Sequence, residues 1–85
     1  MGKFGENMLH PLTDRQAQVL NEVRSFIKIH NYPPTIPEIQ NLLHINNPGA
    51  VAKSFKALEK KGYITRIKGQ HRGLDLTQES KELLQ

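Results

Sequence analysis

Eighty-five residues are enough for one small domain, and 36% hydrophobic with 24% charged residues and no low-complexity run describe a folded core, not a disordered chain. The absence of cysteine excludes a disulfide framework and a thiolate metal site, and no apolar run approaches the ~18–20 residues that span a bilayer. The net charge of +4 is unevenly spread: between Lys53 and Arg72 lie seven basic residues and one acid, a local balance of +6 that points to a polyanionic partner.

Residues 1–11 carry little pattern, and Gly2, Gly5 and Pro11 predict a flexible N-terminal arm. Thr13-Asp14-Arg15-Gln16 then reads as a capping box, with Leu12 placed to staple onto Ala17. The helix it opens has Ala17, Leu20, Val23 and Ile27 on one face, widened by Val19 and Phe26. Tyr32-Pro33-Pro34 ends it near His30-Asn31. Thr35-Ile36-Pro37-Glu38 is a second capping box, leading into a short helix with Ile39, Leu42 and Leu43 as its buried face. His44-Ile45-Asn46 follows as a tight connection with Ile45 tucked beneath it.

The third helix starts at Asn47, a capping residue, with Pro48 in the first helical position where its missing N–H costs nothing. It closes with Lys60, Lys61 and Gly62, cations in the last turn and then a residue free to turn left-handed. Val51, Phe55 and Leu58 form its buried stripe, and Gly49, Ala50, Lys53, Lys56 and Lys60 face the other way. A short helix, a tight turn and a longer helix with a polar outer face make a helix-turn-helix, whose second helix reads the major groove. After Gly62 the period changes to alternation: residues 63–68 predict a strand, Gly69 to Gly73 a turn and residues 74–77 the return strand. A basic hairpin directly behind a reading helix is a wing, with Lys68 and Arg72 at the phosphate backbone. Residues 78–85 are expected to form a short helix after Thr77 or the start of a linker. The fold class is therefore mainly α, a winged helix-turn-helix of three helices and a two-stranded wing over residues 12–77.

Catalytic chemistry finds no support. Ser25-Phe26-Ile27-Lys28 matches a nucleophile motif but lies inside the first helix, where Phe26 and Ile27 serve the core. His10, His30, His44 and His71 have no partner at i+3 or i+4, so no metal, cofactor or small-molecule substrate is expected.

Four motifs carry a resemblance. Leu12-Thr13 with Arg15-Gln16, Pro33-Pro34-Thr35 with Glu38-Ile39, Lys56-Ala57-Leu58 with Lys61-Gly62 and Ile64, and Arg72-Gly73 with Leu74 and Leu76 resemble, in order and spacing, the "LTxRQ", "PPTxxEI", "KALxxKGxI" and "RGIxL" of the LexA family. That family comprises bacterial SOS-response repressors, which continue into a self-cleaving peptidase half that these residues do not include. The resemblance implies a cytoplasmic DNA-binding domain of bacterial or phage origin that meets an inverted-repeat operator, one domain per half-site, as a homodimer on double-stranded DNA. It places base reading at Asn47, Gly49, Ala50, Ala52 and Lys53, and the charge pattern assigns phosphate contacts to Lys56, Lys60, Lys68 and Arg72. The family pattern has Ser-Pro-Asn-Ala followed by two acids, whereas this chain has Asn47-Pro48-Gly49-Ala50 and then Ala52 and Lys53, which predicts the same docking on a different or weaker operator. The competing readings are non-specific nucleic-acid binding and a protein-interaction winged helix displaying Tyr63 and the third helix.

Overall fold

Local capping chemistry sets where each helix of the core begins. In the computed structural model, which describes residues 11–83, Thr13 and Gln16 exchange two hydrogen bonds of 3.2 Å and open α1 (Asp14–His30). Thr35 and Glu38 repeat the arrangement at α2 (Ile36–Leu43), the Glu38 carboxylate accepting from the Thr35 N–H at 2.9 Å. Asn47 caps α3 (Pro48–Lys60), its Oδ1 accepting from the Gly49 N–H at 2.8 Å. The expected N-terminal arm falls almost wholly in residues 1–10, outside the described residues.

The helix ends are equally specific. Asn31 and His44 take left-handed conformations after α1 and α2, with φ of 65° and 57°. Beyond His44, the Ile45 N–H donates to the Gln40 carbonyl at 2.9 Å while the Gln40 side chain donates back to the Ile45 carbonyl at 3.3 Å. Gln40 thus fixes the turn between α2 and α3 from both sides. At the end of α3, Gly62 has φ 89°, the Tyr63 N–H reaches Leu58 O and the Gly62 N–H reaches Glu59 O, a Schellman motif.

One core joins these elements. Val19, Leu20 and Val23 of α1 pack with Ile39, Ile45, Val51, Phe55, Leu58, Tyr63, Ile64 and Leu74. Leu42 differs from expectation: it is 47% exposed. The stripe of α2 runs through Ile36, Ile39 and Leu43, and Leu42 lies off it, one position short of the face. Tyr63 is buried as well, so of the two features that the protein-interaction reading puts on display only the third helix remains.

Behind α3, β1 (Ile64–Arg66) pairs antiparallel with β2 (Leu74–Leu76), Ile64 opposite Leu76 and Arg66 opposite Leu74. The strands are shorter than alternation predicts, because residues 67–73 leave the ladder and form the wing. Ile67 and Gly73 close its neck by an N–H···O bond of 2.8 Å, and a Cβ on Gly73 would strike the Ile67 carbonyl oxygen. The short helix expected after Thr77 is present as α4 (Gln78–Leu83). Thr77 anchors it, its hydroxyl donating to the Gly62 carbonyl at 2.7 Å and accepting from the Ser80 N–H at 3.1 Å.

Candidate nucleic-acid interface

At about 3.6 residues per turn, Gly49, Lys53, Lys56 and Lys60 fall in one stripe of α3, opposite Val51 and Leu58. The fold turns that stripe outward: these four residues are exposed, while Val51 and Leu58 are fully buried. None of the three lysines makes a hydrogen bond or ion pair among the described residues. Their ammonium groups stand in water, available to an anion.

At the helix tip, Asn47 is exposed and its carboxamide is divided between two tasks. Oδ1 caps the helix, and the Nδ2 hydrogens have no internal acceptor among the described residues. Gly49 leaves room for this: a Cβ there would sit 3.1 Å from Asn47 Oδ1. Ala50 and Ala52 are half-buried, and Ala50 packs against the core edge, so it is less outward than the spacing alone suggests. Of the five expected base-reading positions, Asn47, Gly49 and Lys53 are exposed and the two alanines present only part of a methyl surface.

The wing stands beside α3 across an open groove. Its walls include Thr35 at the start of α2, Phe55 and Glu59 on α3, and Arg66, Lys68 and His71 on the wing. Lys68 is exposed and, like the α3 lysines, has no internal partner among the described residues. Of these lysines only Lys68 lines the groove; Lys53, Lys56 and Lys60 stand on the exposed stripe of the helix that gives Phe55 and Glu59 to its wall.

The other three cations of the basic stretch have partners within the fold, although Arg66 is itself exposed. Lys61 donates to the Pro11 carbonyl at 2.9 Å and to Gln16 Oε1 at 2.6 Å, tying the end of α3 to the cap of α1. Arg66 lies over the Phe55 ring, 5.3 Å from its centroid. Arg72, expected at the phosphate backbone, has another engagement. Its guanidinium forms a fork with Glu38, NH1 to Oε1 at 2.7 Å and NH2 to Oε2 at 2.8 Å, and NH1 also donates to the Pro33 carbonyl at 2.9 Å. It also lies over the Tyr32 ring at 4.6 Å, and Phe26 and His30 hold that ring from the side. Hydrogen bonding from Arg72, then from the Thr35 backbone, holds the Glu38 carboxyl down from 4.5 to about 2. A planar fork matched to a carboxylate and backed by a ring is a stable resting place, which holds the half-exposed guanidinium against the α1–α2 corner.

Glu38, Tyr32, Gln40 and Lys61 thus support the surface without belonging to it. Glu38 is recognisable in sequence as half of a capping box, but that local task gives no signal of an arginine partner 34 residues away. Among the described residues, no group of His, Asp and Glu side chains is placed to hold a metal, and no helix is long and apolar enough to cross a membrane.

The family model of the LexA DNA binding domain matches residues 9–73. The LexA repressor of Anaeromyxobacter dehalogenans is 45% identical over 73 residues, which are 86% of this chain and 32% of that protein. LexA repressor 2 of Geobacter sulfurreducens is 42% identical over 69 residues, 81% of this chain and 34% of that protein. The LexA repressor of Thermobifida fusca is 35% identical over 65 residues, 76% of this chain and 26% of that protein. The chain spans about a third of the length of the first two. With three helices ahead of a two-stranded wing and a family match over residues 9–73, the chain belongs to the LexA DNA-binding domain family.

Proposed function

We propose that this domain binds double-stranded DNA sequence-specifically, as the reading part of a LexA-like transcriptional repressor, with α3 in the major groove and the wing along the phosphate backbone. The observation that carries the reading is the outward stripe of α3, which is small at its tip and basic behind it. A major groove admits a helix, and a tip without bulky side chains lets the backbone approach the base edges closely. Lys53 then donates to acceptor atoms such as guanine N7 and O6, and the Asn47 amide donates beside it. The methyl surfaces of Ala50 and Ala52 suit thymine methyls, and Gly49 gives the clearance. Lys56, Lys60 and Lys68 neutralise phosphates on the flanks. Arg72 is withdrawn from that set and acts from within the fold.

A single domain covers one half-site, so high affinity calls for two copies on an inverted repeat. Selection of bound duplexes from a random pool tests the reading directly. Recovery of a shared half-site motif in inverted repeat is the expected result; a pool that stays random under salt-sensitive binding sinks sequence-specific reading and leaves a non-specific binder. Charge reversal at Lys53 is expected to change the recovered motif, whereas Lys60→Ala lowers affinity for all duplexes about equally.

A further inference from the structure

The wing of this protein is fastened by side chains that do not face the duplex. Arg72 precedes Gly73, the residue that closes the wing neck onto Ile67, so the position of the guanidinium sets the position of the hairpin. The guanidinium is held on three sides. Glu38 takes both of its terminal nitrogens, the Pro33 carbonyl takes one of them again, and the Tyr32 ring lies under its plane. Each holder belongs to the α1–α2 corner, and Glu38 is itself fixed by its bond from the Thr35 N–H. The rigid α2 cap is thereby joined to the wing across the groove that Lys68 borders.

We propose that Glu38 and Arg72 form a positioning clamp that holds the wing where Lys68 meets the phosphate backbone, so that an acidic side chain is required for full DNA affinity. The proposal rests on the DNA reading given above. Without the clamp, the seven residues from Ile67 to Gly73 hang from a two-stranded ladder of three residues each. Lys68 must then lose more conformational freedom on binding, and its phosphate contact weakens. A direct phosphate role for Arg72 makes the opposite forecast for Glu38: neutralising the acid would free the arginine and raise the net positive charge, so binding would tighten.

The experiment measures binding of the full chain to a fluorescent random-sequence duplex over about 0.05 to 0.3 M salt, for wild type, E38Q, R72M, K68A and E38Q/K68A. Thermal melts accompany each variant. Gln is accepted in this capping position, as Gln16 shows in α1, so E38Q keeps the α2 cap. R72M, which leaves Glu38 in place, is the second route to the same broken clamp. Expected for E38Q and R72M is a salt slope shallower by about one phosphate contact, ~0.9, with binding up to about eightfold weaker at 0.1 M salt. K68A gives the same loss, and E38Q/K68A loses no more than K68A alone. Tighter binding or an unchanged slope in E38Q overturns the clamp, as does an additive loss in the double variant. Failure of the DNA reading looks different: wild type itself would then bind without salt dependence.

Discussion

Asn47 serves the fold with one end of its carboxamide and faces solvent with the other. Asp at this position keeps an oxygen for the Gly49 N–H and adds negative charge at the helix N-terminus, so Asn47→Asp is expected to melt at or slightly above wild type. The same change replaces a donor amide with an acceptor. In the selected duplexes the contacted base is then expected to shift from acceptor-rich guanine or thymine toward donor edges, cytosine N4 or adenine N6, with discrimination of about 1–3 kcal/mol. An unchanged motif would remove Asn47 from the reading set. Glu38 supplies a second residue-scale forecast. Its carboxyl lies at about 2 in the folded chain, below the ordinary 4.5, so the ionised form stabilises the fold. That contribution is complete above pH 4.5 and is lost as pH falls through about 2, leaving the neutral range flat. Carboxyl chemical shifts should titrate near 2 for Glu38 and move back toward 4.5 in Arg72→Met, stopping short because the Thr35 N–H remains.

Among the elements, those governed by neighbours within four residues of one another were readable from the chain alone. Thr13 with Gln16, Thr35 with Glu38, and Asn47 with Pro48 state the starts of α1, α2 and α3 in local chemistry, and Gly62 states the end of α3. The buried face of α2 was only partly readable, since a helix of eight residues offers two turns and Leu42 and Leu43 compete for one edge. The wing was readable as a hairpin but not in its length. Alternation continues through Ile67 and Lys68, yet Ile67 is 48% exposed with no core beneath it, so the ladder stops at Arg66. Gly73 is where the wing can be perturbed as a unit. A methyl there meets the Ile67 carbonyl, so Gly73→Ala forces the neck open at a cost of about 1–3 kcal/mol. Its signature is a lower melting temperature and weaker binding to every duplex, with the motif selected by α3 unchanged; a changed motif would mean that the wing also reads bases.

At the scale of the whole molecule, net charge overstates how much of the basic stretch is offered to a partner. Counting residues from Lys53 to Arg72 treats seven cations alike, but the fold divides them. Lys61 and Arg72 are spent on carbonyl and carboxylate partners, and Arg66, though exposed, lies over Phe55, which leaves Lys53, Lys56, Lys60 and Lys68 in solvent with no partner among the described residues. That division is invisible to composition, because it depends on which residues from α1 and α2 arrive beside each cation. It has a measurable consequence. Three or four phosphates neutralised per domain correspond to a slope of log affinity against log salt of roughly −3 on a duplex carrying one half-site. All seven acting together would give roughly −6. Anisotropy titrations across the salt series distinguish the two values. A slope near −6 would mean that the exposed Arg66 joins the phosphate set and that Lys61 and Arg72 leave their internal partners on binding, so the corner that anchors the wing would have to open as DNA arrives. A slope near −3 keeps that corner closed and makes the internal cations part of the scaffold, with affinity supplied by the lysines of α3 and the wing.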